Sequence, residues 1–110
     1  MNTFHKLEIK EIRRLTSDAV EIIFSIPDDL KQEFAFDPGQ YITIKHNIEG
    51  EEIRRSYSLC SFTGSMNIAI GVKRIDNGKM STFLTRSLEV GDSLEVLPPL
   101  GNFILKGNNV

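Results

Sequence analysis

The chain has 110 residues, of which 40% are hydrophobic and 25% are charged. This composition is typical of one globular domain, and the length is too short for two independent cores. The formal net charge of −2 excludes the strong positive field that drives sequence-independent binding to nucleic acid. The single cysteine, Cys60, excludes an internal disulfide and a cluster held by four cysteines of this chain.

No apolar run has the length of a signal peptide or of the roughly 20 residues that span a bilayer. The sequence therefore predicts a cytoplasmic protein with no membrane partner and no nucleic-acid partner. The two histidines, His5 and His46, have no third ligand at metal spacing, so no metal site is predicted.

Five apolar alternating segments predict β-strands in the first two thirds of the chain. Residues 6–15 alternate with a slip near Glu11 that indicates a β-bulge, and residues 19–26 return from them as a hairpin. Residues 29–36 are ambiguous and leave room for a short helical turn. The later strands are predicted over residues 41–45, 52–60 and 67–73.

A helix and a sixth strand follow. The spacing of Met80, Phe83, Leu84 and Leu88 predicts a short amphipathic α-helix over residues 80–88. Residues 93–97 supply the sixth strand, which the two prolines at 98–99 are expected to end, with residues 101–105 as a further extension of the sheet.

Six strands with short connections favour a closed barrel, because closure removes exposed sheet edges. The predicted fold class is all-β, a six-stranded antiparallel Greek-key barrel with one short α-helix. It forms one domain over residues 1–110.

The stretch RRSYSLCS, residues 54–61, concentrates polar chemistry in the second half of the fourth strand. Alternation places Arg55 and Tyr57 on one face and Ser56 and Ser58 on the other. A guanidinium binds phosphate through charge-assisted hydrogen bonds, and a tyrosine about 7 Å along the same face can stack on a flat heterocycle. The alternative is a solvent-facing arginine, a half-buried core tyrosine and serines without a ligand.

A second candidate site lies where the helix begins. The turn Asp76-Asn77-Gly78 leads directly into the helix, so the free N–H groups of its first turn, with Ser81 beside them, suit a pyrophosphate. The alternative is that Asn77 or Ser81 merely caps the helix and that Gly78 supplies a left-handed turn residue.

Two further expectations concern surface and core. Cys60 is expected to be a buried or half-buried small residue. Arg54, Arg55, Lys73 and Arg74 are an alternative basic surface for an acidic electron-transfer partner.

Four segments, in order, resemble the ferredoxin–NADP reductase superfamily. Arg55-Ser56-Tyr57-Ser58 resembles its Arg-x-Tyr-Ser flavin motif, and Gly78-Lys79-Met80-Ser81 is similar to its Gly-x-x-Ser pyrophosphate segment. FDPGQY at residues 36–41 and PPLGNF at residues 98–103 resemble two further segments. Within the superfamily, FHKLEIKEIRR, GEEIRRSYSLCS and VKRIDNGKMSTFL resemble the reductase component of the phenylacetyl-CoA epoxidase (oxygenase) system.

The resemblance implies an oxidoreductase that binds FAD and takes a hydride from NAD(P)H. It would pass electrons through a 2Fe-2S cluster to an oxygenase partner in phenylacetate degradation. By the same resemblance Arg55 binds the FAD pyrophosphate, while Tyr57 on the isoalloxazine and Ser58 near flavin N5 are the catalytic candidates. The full set of implied cofactor-binding residues is Arg55, Ser56, Tyr57, Ser58, Val72, Lys73, Gly78, Lys79, Met80 and Ser81.

The chain departs from that family in one respect. It contains no glycine-rich nucleotide-binding segment and no four-cysteine pattern, so the nicotinamide-binding and ferredoxin-like domains are expected to be absent from this chain. NAD(P)H and the 2Fe-2S cluster would then act only through those domains, and these residues alone are not expected to turn over NAD(P)H. A stand-alone flavin carrier or regulatory module, and a flavin-free β-barrel interaction domain, remain as alternatives.

Overall fold

The computed structural model describes residues 3–37, 39–60 and 67–100, apart from the side chain of Leu100. In this part of the chain there are six strands, one α-helix (α1, Lys79–Arg86) and a 3-10 turn at Asp28–Leu30. The strands are β1 (His5–Thr16), β2 (Ala19–Ser25), β3 (Tyr41–Ile48), β4 (Glu51–Ser58), β5 (Ile68–Lys73) and β6 (Ser93–Leu100).

All neighbouring strands pair antiparallel in the order β4-β3-β6-β1-β2-β5. Because β6 lies between β3 and β1, the chain returns to the middle of the sheet, as in a Greek key. The two edge strands meet just beyond β4, where Leu59 bridges Ile70 and the Cys60 N–H donates to the Ala69 carbonyl at 2.9 Å. The predicted six-stranded antiparallel Greek-key barrel with one short helix is confirmed.

The predicted hairpin and bulge in the first strand are also confirmed. β1 and β2 pair throughout, with a register shift between Ile9 and Glu11. Leu7 and Ile9 are buried before the shift, and Ile12 packs against the core after it. A bulge changes the inward phase by one residue, which is why the alternation in the sequence slips there.

The core lies between the inward faces of these strands. Val20, Ile22 and Phe24 of β2 are all 0% exposed, and they face Val72, Ile70 and Ile68 of β5 in register. Each fully buried side chain of this kind contributes about 1.5–3 kcal/mol. These two strands are therefore specified by β-branched and aromatic residues at every second position.

Helix α1 packs on this core through Met80 and Leu84, which are 2% and 1% exposed. At its last turn the Arg14 guanidinium donates to the Thr85 carbonyl at 2.7 Å, and a cation at a helix C-terminus is favourable. Phe83 stacks on His46 of β3 with ring centroids 4.5 Å apart. These contacts fix the axis of the helix, so its first turn lies at a defined place beside β3 and β4. No helix of the described residues is long and apolar enough to cross a membrane.

Three strand ends differ from the prediction by two or three residues: β3 runs to Ile48 instead of residue 45, β4 ends at Ser58 instead of residue 60, and β6 runs past Leu97. β6 continues through both prolines to Leu100 instead of ending at Leu97. Thr43 pairs with Leu97 and Tyr41 with Leu100, so Pro98 and Pro99 lie opposite a single residue of β3, in a register shift. Proline lacks an N–H and is tolerated at such a bulge. The proposed extension over residues 101–105 lies outside the described residues.

Candidate functional site

The inward face of β4 carries the residues that the sequence singled out. Glu51, Ile53, Arg55 and Tyr57 alternate onto one side of the strand. Ile53 is 6% exposed and Tyr57 packs against the core, whereas Arg55 is exposed even though its partner on β3, Ile44, is fully buried. β4 is an edge strand, so a long side chain on this face can reach past the core to solvent. Arg55 and Tyr57 do lie on one face, as the alternation predicted.

The environment of Tyr57 is apolar on one side and cationic on the other. Burial raises the pKa of its phenol above the ordinary value of 10.0, and the nearby Arg55 guanidinium partly opposes that rise. Tyr57 is therefore a neutral hydroxyl at physiological pH, with a ring half-buried beside a positive charge. Such a ring can stack on the flat heterocycle of a ligand that also carries phosphates, while those phosphates reach Arg55.

The two serines of the motif lie on the opposite face. The hydroxyls of Ser56 and Thr43 are 2.9 Å apart across the β3–β4 ladder, and Ser58 is exposed and pairs with Tyr41. Directly after Ser58, the Leu59 N–H still donates to the Gln40 carbonyl at 3.1 Å, just before β3, while Leu59 also bridges Ile70 of β5. Ser58 thus lies next to the Leu59–Ile70 bridge, with its side chain on the face away from Tyr57.

A seam separates the edges of β4 and β5. The antiparallel register set by the Leu59–Ile70 bridge places Tyr57 across from Val72. No ladder continues along this seam among the described strands, whose order ends at β4 and at β5. Val72 is 2% exposed and faces the core, while Lys73 is exposed. Val72 can therefore offer a ligand only its backbone, whereas Lys73 offers its side chain.

The turn before α1 is built on close contacts of Gly78. A Cβ at this position would lie 2.7 Å from Ser81 Oγ and 3.0 Å from the Ile75 carbonyl oxygen, so only glycine fits. The left-handed residue of the turn is Asn77, with φ of 65°, whereas Gly78 has φ of −85°. The alternative in which Gly78 supplies the left-handed conformation is therefore wrong on that point. Asn77 supplies it, and asparagine is one of the few residues that tolerate this conformation.

Ser81 ties this turn together. Its hydroxyl accepts a hydrogen bond from the Ile75 N–H at 2.9 Å and donates to the Gly78 carbonyl at 3.3 Å. The side chain is 5% exposed, and that of Met80 is 2% exposed. Both residues can therefore meet a ligand mainly through their backbone N–H groups, which lack intrahelical acceptors in the first turn.

Lys79 links the start of α1 to β4. Its ammonium donates to the Glu51 carboxylate at 2.9 Å and lies 3.9 Å from the carboxylate of Glu49. The Lys79 hydrogen bond, and then its charge, lower the pKa of Glu51, and Arg55 adds a smaller effect of the same sign. Glu51 therefore lies within the electrostatic reach of both cations, and Lys79 and Arg55 serve one side of β4.

Glu51 was not identified from the sequence. The sequence did contain a signal for it, since Glu51 has the same alternation phase as Arg55.

A cavity of about 530 Å³ lies beside the start of α1. It is lined by Glu49, Gly78 and Lys79, among others, but by neither Arg55 nor Tyr57.

Two of the four cations of the alternative basic surface are paired with carboxylates of this chain. Arg54 lies 3.1 Å from Glu52, and Arg74 lies 3.4 Å from Asp76 and 3.7 Å from Asp18. These ion pairs leave little free positive charge for an acidic partner at those two positions.

Cys60 is exposed, so the expectation of a buried or half-buried residue is wrong. It continues the outward phase of Ser56 and Ser58, and its thiol donates to the Glu21 carboxylate at 3.7 Å. Although the residue is exposed, partial desolvation of the thiol by its neighbours, followed by the Glu21 charge, raises its pKa. The described residues contain no group of three or more histidine, cysteine or acidic side chains arranged for a metal ion.

The six-stranded antiparallel Greek-key barrel with one helix has the fold of the FAD-binding domains of the ferredoxin–NADP reductase type. The chain belongs to the oxidoreductase FAD-binding domain family, which matches residues 6–104. FAD is the cofactor of that family, as the sequence predicted.

Named relatives include oxygenase reductases and flavohaemoglobins. The chain is 39% identical over 103 residues to one component of the 1,2-phenylacetyl-CoA epoxidase of Escherichia coli K12, covering 94% of this chain and 29% of the relative. The flavohem-like FAD/NAD binding domain of nitric oxide dioxygenase from Vibrio cholerae superposes with a TM-score of 0.80 at 26% identity, covering 96% of this chain and 47% of that one. Phthalate dioxygenase reductase, described as carrying electrons from pyridine nucleotides to a 2Fe-2S centre, superposes with a TM-score of 0.70 at 27% identity, covering 94% and 32%. The chain thus spans less than half of each of these relatives.

Proposed function

We propose that this chain is the FAD-binding domain of a longer, cytoplasmic NAD(P)H-dependent flavin reductase. That reductase passes electrons through a ferredoxin-type 2Fe-2S centre to an oxygenase in phenylacetyl-CoA degradation. The similarity to the epoxidase component supports the pathway, and the likeness to phthalate dioxygenase reductase supports the electron route. The nicotinamide-binding and 2Fe-2S functions would belong to further domains.

The observation that carries the proposal is the shared side of β4. Arg55 and Tyr57 point to the side on which Glu51 meets Lys79, the first residue of α1. A dinucleotide needs cations and N–H donors for its phosphates and an apolar surface for its ring, and this side offers both. The residues therefore fit FAD.

In the proposed arrangement Arg55, Lys79 and the N–H groups of Met80 and Ser81 bind the pyrophosphate. Gly78 allows the tight turn that aims those N–H groups, and Tyr57 packs its ring on the isoalloxazine. Bound FAD supplies the chemistry, since a flavin accepts a hydride and releases single electrons. The protein binds it, orients it and keeps water from one face of the ring.

Four residues complete the proposed site along the seam between β4 and β5. Ser58 lies next to the Leu59–Ile70 bridge, where its backbone N–H would meet flavin N5, and Ser56 would support the strand through Thr43. Val72 and Lys73 would line the seam from β5. Ser58 and Tyr57 are thus the proposed residues at the reacting ring.

A titration of the purified chain with FAD tests this proposal. We expect stoichiometric quenching of FAD fluorescence and a protein that is yellow after removal of free flavin. A colourless protein that leaves FAD fluorescence unchanged would instead support a flavin-free interaction domain. If FAD binds, a longer gene product that reduces its flavin with NADH or NADPH would support the reductase over a flavin carrier.

A further inference from the structure

The pair formed by Glu51 and Lys79 is not required by the core. Both side chains are largely exposed, at 61% and 49%, and they join β4 to the first residue of α1 across 28 residues of sequence. The helix is already fixed by the burial of Met80 and Leu84 and by the contact of Arg14 with its last turn. The Glu51–Lys79 pair is therefore not needed to hold the helix in place, and a role in the candidate site would account for it.

The charges around Lys79 are unusual for a place that should receive phosphate. Two carboxylates, those of Glu49 and Glu51, approach one ammonium at 3.9 and 2.9 Å, at the end of a helix that itself favours anions. Glu51 also lies within the field of Arg55. A carboxylate of this chain already satisfies the cation that a phosphate would use.

We propose that Glu51 is an internal competitor for the phosphates of the flavin dinucleotide, so that its carboxylate sets the affinity for FAD by contesting Lys79. This inference rests on the proposed function, because it needs the phosphates to lie at the start of α1. Bound phosphate either displaces the Glu51 carboxylate from Lys79 or lies beside it and is repelled. In both cases the carboxylate weakens binding, and its removal strengthens binding.

Glu51→Gln keeps the shape of the side chain and removes the charge. The matched control is Glu52→Gln, which removes the same charge one residue away, where Glu52 pairs with Arg54 at 3.1 Å on the other face of β4. FAD dissociation constants of both variants and the parent chain are measured by fluorescence quenching at low and high salt. Because exposed ion pairs are weak, we expect E51Q to bind FAD about two- to fivefold more tightly and E52Q to match the parent.

Two further results separate the possible failures. The gain from E51Q should shrink at high salt, and in a Lys79→Ala background it should fall to the part that comes from direct repulsion of phosphate by Glu51. An undiminished gain in that background would contradict competition for Lys79. If the parent binds FAD and E51Q binds it equally or more weakly, the competitor role is wrong and Glu51 instead orients Lys79. If neither the parent nor E51Q takes up FAD, the proposed function falls, and this inference falls with it.

Discussion

Arg55→Ala should weaken FAD binding severely while leaving the fold intact. The Arg55 side chain is exposed, and its one hydrogen bond among the described residues is a local one, from Nη1 to the Arg54 carbonyl at 2.7 Å. No core contact is lost on truncation, so the unfolding temperature should stay nearly unchanged. The affinity should change much more, since the guanidinium is the proposed partner of the pyrophosphate.

The size of the change follows from the bonds removed. A charge-assisted hydrogen bond contributes about 1.5–3 kcal/mol, and each 1.4 kcal/mol is a factor of ten in the dissociation constant. Loss of one or more such bonds from Arg55 therefore predicts a dissociation constant about ten- to a hundredfold higher. Isothermal titration of FAD into the purified variants measures this directly.

Arg54→Ala is the matched control. It removes the same charge from the adjacent position, but Arg54 points to the other face, pairs with Glu52 and lies 5.3 Å from the ring centroid of Phe4. We expect this variant to bind FAD within about twofold of the parent. If both variants lost affinity equally, or if only Arg54→Ala did, the assignment of the phosphate to the inward face of β4 would be refuted.

Two other predictions concern the start of α1. Gly78→Ala should lower the free energy of unfolding by about 1–3 kcal/mol in a denaturant titration, because the added Cβ would lie 2.7 Å from Ser81 Oγ. The control is Gly71→Ala, whose Cβ meets nothing within 4 Å and which should leave the free energy of unfolding nearly unchanged. Equal stabilities of the two variants would contradict the close packing at Gly78. The pKa of Glu51 is below its ordinary value of 4.5 because of Lys79, so its contribution to stability is present above pH 4.5 and is lost as pH falls through the lower, folded-state pKa. An NMR titration should show this pKa rising towards 4.5 in Lys79→Ala, and an unchanged pKa would count against the pair.

Much of the fold was predictable because β-strands carry their period in the sequence. Val20, Ile22 and Phe24 occupy every second position of β2, and the slip at Glu11 is the bulge itself. The end of β6 was not predictable in the same way. Proline in a sequence predicts the end of a strand. Only the register of β6 against Tyr41 and Thr43 shows that two prolines can lie in a bulge.

The candidate site was likewise predictable where it depends on strand alternation and not where it depends on packing between elements. Alternation was enough to place Arg55 and Tyr57 on one face, since it requires only that β4 is a strand. The pairing of Glu51 with Lys79 required the packing of α1, which brings together residues 28 apart. The exposure of Cys60 agrees with the outward phase of Ser56 and Ser58, so it was predictable from alternation, and the expectation of burial gave too much weight to the apolar character of cysteine.

The most direct test of the central claim is an NMR map of backbone amide shifts during FAD titration. If the dinucleotide lies between the inward face of β4 and the first turn of α1, the largest shifts should fall on Arg55, Tyr57 and the amides of residues 78–81. Shifts confined to the β1–β2 hairpin, with Tyr57 and Lys79 unchanged at saturating FAD, would contradict the account.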